Sequence, residues 1–210
     1  MTFRLPPIYP ITDKRLSGKT THLAIVRELI RAGATVVQIR DQETPLHQLL
    51  VDLRRCVAYA ARFSVRILVN NRCDLVLLSD AAGVHLGQMD LPPAAARDLL
   101  GRRAIIGFST HSPAQLRHAI RLPVDYLGFG PIFPTTTKTD SSPAVGLGAL
   151  RQVCRQSPRP VVAIGGIGLE QIARVRDAGA SSVALISAIM STGNIARAME
   201  RCLEAAGRAS

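Results

Sequence analysis

Short apolar runs rich in β-branched residues alternate with helix-period segments along the whole chain. This alternation, repeated eight times, limits the fold more than any other feature. It is the pattern of βα units laid around a parallel sheet. The spacing predicts strands at 8–11, 35–39, 66–69, 83–86, 104–108, 126–129, 161–164 and 182–185. It predicts helices at 22–32, 46–62, 73–78, 92–100, 113–121, 148–156, 169–177 and 194–206, of which 73–78 has the weakest periodicity. Pro92 and Pro113 fall in first-turn positions, and Gly33, Gly101 and Gly179 follow helices as stops. No linker or low-complexity stretch divides the 210 residues, so residues 1–210 are expected to form one α/β domain, a single (β/α)8 TIM barrel. The open doubly wound sheet is the alternative. It is disfavoured because no strong glycine-rich fingerprint follows the first strand.

Composition agrees with a barrel. Hydrophobic residues make up 47% of the chain but aromatics only 4%, so Val, Ile, Leu and Ala must fill the interior. A formal charge of +11 favours anionic partners. The basic residues are scattered and aromatics are scarce, which argues against a nucleic-acid interface and for phosphorylated small molecules. Cys56, Cys73, Cys154 and Cys202 are widely separated and read as reduced thiols. Neither a signal peptide nor an eighteen-residue apolar run is found, so a cytoplasmic protein without membrane partners is expected. Oligomeric state is left open, a homo-oligomer included.

A barrel carries its site at the C-terminal ends of its strands, and polar residues gather there in every unit. In chain order they are Thr12 and Asp13; Gln38, Arg40, Asp41 and Gln42; Asn70 and Asn71; His85, Gln88 and Asp90; Ser109, Thr110 and His111; Thr135, Thr136, Thr137 and Lys138; Gly165 and Gly166; and Ser187. Taken one by one, many would serve as helix caps or turns. Together they make a rim suited to anions and cations. Two glycines between a buried strand and a helix start leave backbone amides facing a candidate phosphate, with Ile186 and Ser187 beside them. The longest irregular segment, 131–146, offers three threonine hydroxyls and Lys138 for closing over a charged ligand. His85 and His111 have acid/base chemistry available, against a wall position for His85 and a helix cap for His111.

The strings QIRDQ (38–42), Asn70-Asn71, GVHLGQMD (83–90), STH (109–111), YLGFGPIFPTTTKTD (126–140), AIGGI (163–167) and ALISAI (184–189) occur in one order over nearly the whole chain. In these segments the chain resembles the thiamine phosphate synthase family. The resemblance implies a transferase that joins a hydroxymethylpyrimidine diphosphate to a hydroxyethylthiazole phosphate, releasing pyrophosphate and giving thiamine monophosphate. It also implies Mg2+ as cofactor, held at Asn71 and Asp90. Arg40, Ser109 and Lys138 would be catalytic. Gln38, Arg40, Gln42, Asn70, Ser109 and Lys138 would bind the pyrimidine diphosphate. Thr135, Thr136, Thr137, Gly166, Ile186 and Ser187 would seat the thiazole phosphate. Two positions depart from the family's pattern: Gln42 stands where the family usually has Lys, and Asn71 where it usually has a metal-binding Asp.

Three other readings fit parts of the pattern. A thiazole tautomerase of the same fold would carry His where this chain has Pro131, and would lack the PTTTK loop. An inactive paralogue would keep the thiazole-phosphate cradle without the metal site. An unrelated phosphosugar barrel would share only the cradle.

Overall fold

A computed structural model describes residues 4–135 and 143–207. Its strands are β1 (Ile8–Pro10), β2 (Val36–Ile39), β3 (Arg66–Asn70), β4 (Gly83–Leu86), β5 (Ile105–Thr110), β6 (Tyr126–Phe129), β7 (Val161–Ile164) and β8 (Ser182–Leu185). They form one parallel sheet in the order β1-β8-β7-β6-β5-β4-β3-β2. A parallel bridge from Ile11 to Gln38, with the Thr12 amide donating to the Gln38 carbonyl at 2.9 Å, brings the two ends together. The sheet is therefore a barrel, and all eight C-terminal strand ends share one rim.

The helices are α1 (Lys14–Ser17), α2 (His22–Arg31), α3 (Leu46–Ala61), α4 (Cys73–Ser79), α5 (Pro93–Leu100), α6 (Pro113–Ala119), α7 (Gly146–Gln156), α8 (Ile172–Asp177), α9 (Ser187–Met190) and α10 (Ile195–Gly207). Each of the longer ones turns one apolar stripe to the sheet. In α2 the buried positions are His22, Ile25, Val26 and Leu29, the 3–4 spacing of a single helix face. Thr21 and Ser112 cap α2 and α6 by accepting from the amides of Ala24 and Gln115. The helix expected over 169–177 opens instead as a 3-10 turn, Leu169–Gln171, before α8. At α5 the first helical residue is Pro93, and Pro92 is the cap. All four cysteines are free, three of them buried.

Alternation along the strands divides the core in two. Residues such as Ile8, Val37, Val84, Ile106 and Leu127 are fully or almost fully buried under the helices. The opposite positions, including Tyr9, Gln38, His85, Gly128 and Ile164, line a small cavity inside the barrel. That interior is polar at several levels, unlike the outer shell.

Candidate active site

The rim opens into a cleft of about 930 Å3. Its floor and walls come from the β1–α1 and β2–α3 connections, from Pro134 and Thr135 after β6, from Gly166–Gly168 after β7, and from Ser187 and Ala188 at the start of α9. The β7 glycines are required by the geometry. Gly165 and Gly166 have φ of 97° and 64°, and a Cβ on Gly166 would stand 2.5 Å from the Pro134 carbonyl oxygen. Only a bare backbone can pass that close beneath the β6 loop. Gly166, Thr135 and Ser187 all line this cleft. Ile186, at the N-cap of α9, is buried just behind Ser187.

The same cleft is lined by Lys14, Arg15 and Arg40 among Asp13, Asp41 and Glu43. Arg40 approaches Asp13 only to 3.9 Å and donates to Gln42 Oε1 at 3.0 Å. A guanidinium has five donors, so among the described residues most of its capacity is left for an incoming anion. Asp41 anchors the loop that presents Arg40 and Gln42. Its Oδ1 accepts from the amides of Glu43 and Thr44, and its Oδ2 from the Thr44 hydroxyl at 2.7 Å. The same Oδ2 lies 2.9 Å from both Lys14 Nζ and His22 Nε2. Burial alone would raise the Asp41 carboxyl, but His22, the Thr44 amide, Lys14 and the Glu43 amide together hold it well below the usual carboxylate range. Asp41 therefore points into this anchoring cluster rather than toward a ligand. Lys14 and His22 were missed as site-forming residues. Lys14 lies one residue beyond Asp13, in a four-residue helix too short to show periodicity.

Most of the remaining described rim residues lie on the β3–β5 arc, outside the lining of the large cleft. Asn70 donates to Asn71 Oδ1. Asn71 takes a left-handed φ of 66° and donates its amide to the His85 carbonyl at 2.8 Å, tying β3 to β4. Asp90 Oδ2 accepts from the Gly87 amide at 2.6 Å and closes the turn after β4. Ser109 Oγ lies 2.8 Å from His85 Nε2. Gln38 is buried in the barrel interior and donates to the Tyr9 hydroxyl at 3.0 Å. His85 is an interior group in a polar chain. The expected cap role of His111 is filled by Ser112, and His111 Nδ1 instead donates to the Gly130 carbonyl at 2.7 Å. Thr136, Thr137 and Lys138 lie outside the described residues.

No described helix is long and apolar enough to cross a membrane. No three His, Cys, Asp or Glu side chains among the described residues cluster as metal ligands.

The chain is similar to known proteins along most of its length. The family model described as thiamine monophosphate synthase matches residues 8–189. A thiamine-phosphate synthase of Pelotomaculum thermopropionicum is 43% identical over 198 residues, covering 94% of this chain and 90% of the relative. Another, from Chloroflexus aurantiacus, is 39% identical over 91% of this chain and 88% of its own. The solved thiamine phosphate pyrophosphorylase of Pyrococcus furiosus superposes with a TM-score of 0.87 at 31% identity, covering 96% of each chain. With the family model matching most of its length and a relative 43% identical over 94% of it, the chain belongs to the thiamine monophosphate synthase family.

Proposed function

We propose that the protein is a thiamine phosphate synthase. It condenses a pyrimidine carrying a diphosphooxymethyl group with a thiazole carrying a phosphooxyethyl group, giving thiamine monophosphate and pyrophosphate. The observation that carries this reading is the meeting of Arg40, Gln42, Thr135, Gly166 and Ser187 around one cleft, in a chain 43% identical to a thiamine-phosphate synthase over almost its full length.

The reaction breaks a C–O bond on the pyrimidine methylene and forms a C–N bond from the thiazole nitrogen to that carbon. As the first bond lengthens, negative charge grows on the departing pyrophosphate and positive charge on the methylene. Donors already in place around the leaving oxygens lower the barrier. Arg40 supplies the fork of N–H groups for this purpose, Gln42 supports it, and Lys138 is the second cation assigned to the diphosphate. Gln38, Asn70 and Ser109 orient the pyrimidine. Thr135 to Thr137, Gly166, Ile186 and Ser187 hold the thiazole phosphate so that its nitrogen faces the methylene. No side chain need act as a nucleophile.

The donors on the β3–β5 arc suit Mg2+. Asp90 and the amide oxygen of Asn71 are hard oxygen ligands, and such an ion takes one or two carboxylates and completes its shell with substrate phosphate and water. Bound there, Mg2+ would neutralise diphosphate charge. An amide at position 71 is a weaker ligand than a carboxylate, so Asn71→Asp is expected to lower the Mg2+ concentration giving half-maximal rate by about tenfold. The test is to mix purified protein with both phosphorylated precursors across a Mg2+ series and follow pyrophosphate. Release with both precursors and not with either alone supports the reading. No release at any Mg2+ concentration overturns it.

A further inference from the structure

Below the mouth of the barrel, five polar side chains from five different strands are linked end to end. Gln38 Nε2 donates to the Tyr9 hydroxyl at 3.0 Å, and the Tyr9 and Tyr126 hydroxyls lie 2.8 Å apart. The Tyr126 hydroxyl is 3.0 Å from His85 Nδ1, and His85 Nε2 is 2.8 Å from Ser109 Oγ. Gln38 and Tyr9 are 1% exposed and Tyr126 not at all. Apolar side chains would fill this space at lower cost, and a buried polar chain is tolerable only when every link is made.

The neighbouring strands leave room for the rings. A Cβ on Gly107 would stand 2.1 Å from Tyr126 Cζ, and one on Gly128 3.1 Å from His85 Cε1. The Tyr126 and His85 rings stack at 5.5 Å, and Tyr9 meets Tyr126 edge-on at 5.9 Å. The chain is therefore built into the sheet from both sides.

We infer that Gln38, Tyr9, Tyr126 and His85 form a directed hydrogen-bond relay that fixes His85 as the Nε2–H tautomer and so makes Ser109 a hydrogen-bond donor to substrate. The proposed direction starts from the first link. An amide nitrogen can only donate, so the Tyr9 oxygen accepts, and the relay assigns the Tyr9 proton to the Tyr126 oxygen. Tyr126 in turn gives its proton to His85 Nδ1. An accepting Nδ1 puts the proton of a neutral imidazole on Nε2, which donates to Ser109 Oγ. The Ser109 proton is then available to a bound molecule. Burial raises the Tyr9 phenol to about 12 and the Tyr126 phenol well above its usual value, so both keep the protons that the relay needs.

This inference rests on the synthase reading, in which Ser109 meets the pyrimidine. Tyr9, Tyr126 and His85 are positioning residues that act through Ser109, and Gln38, which also meets the pyrimidine, starts the relay. The test combines 15N NMR of histidine in the full-length protein with steady-state kinetics, the His85 signals being assigned by their loss in His85→Gln. The wild type should show Nε2 protonated and Nδ1 unprotonated. Tyr126→Phe, which keeps the ring, should spread the proton over both nitrogens and lower kcat by about tenfold, with KM for the thiazole phosphate changed less than twofold. Tyr9→Phe should shift both readouts the same way by less. Protonation at Nδ1 in the wild type, or an unchanged tautomer and kcat in Tyr126→Phe, overturns the relay. A wild type with the Nε2–H tautomer that forms no thiamine phosphate supports the relay and overturns the synthase reading.

Discussion

Arg40 and Asp41 are neighbours in sequence with opposite tasks. Arg40 lines the cleft with most of its donors uncommitted, whereas Asp41 turns away into His22, Lys14 and Thr44. Replacing Arg40 with Ala removes a charge-assisted donor from the departing diphosphate, and kcat/KM for the pyrimidine substrate should fall about 100-fold in steady-state assays. Asp41→Ala should act first on the fold. The carboxyl is 5% exposed, and its loss strands a lysine, a buried histidine and two amides, so a cost of about 2–4 kcal/mol is expected from urea denaturation. Its titration gives a second readout. A carboxyl whose folded pKa lies below its unfolded value of about 4 stabilises the fold above that pH and loses the contribution as pH falls toward the folded value. The urea midpoint should therefore drop more steeply between pH 5 and pH 3 in the wild type than in Asp41→Asn.

Single elements show where the sequence was readable and where it was not. The boundaries of β4, β6, β7 and β8 match the apolar runs because those strands consist of apolar residues or end in them. By contrast β3 extends to Asn70 and β5 to Thr110, beyond the stretches expected from hydrophobicity. Their polar ends are satisfied within the barrel: Thr110 donates to the Gly128 carbonyl at 2.8 Å, and Ser109 pairs with His85. The short helices α1 and α9 have four residues each, too few for periodicity to register. Close packing between strands also leaves little trace in a pattern of residue types. Gly83 looks like an ordinary strand start, yet a Cβ there would sit 1.9 Å from the Ile105 carbonyl oxygen. Gly83→Ala should push β4 from β5 and lower stability by about 3 kcal/mol or more, measured by thermal or urea unfolding.

For the molecule as a whole, the eightfold alternation was enough to indicate a barrel, and several of the polar residues after the strands line the cleft that opens at its rim. The cleft then gathered Arg40, Gln42, Thr135, Gly166 and Ser187, which are up to 147 residues apart in the chain (187 − 40). What the sequence could not show was how the interior is wired. Tyr9 and Tyr126 share a hydrogen bond across 117 residues, and neither belongs to the polar sets that follow the strands. Such a contact comes from closing the sheet, not from local spacing. The central claim is that this rim joins two phosphorylated heterocycles. The measurement closest to that claim is the quantity of thiamine monophosphate formed by purified protein from both precursors with Mg2+, compared with the pyrophosphate released. The account predicts one thiamine monophosphate per pyrophosphate, with formation falling sharply in Arg40→Ala. Pyrophosphate release without thiamine monophosphate, or no turnover in the wild type, would contradict it.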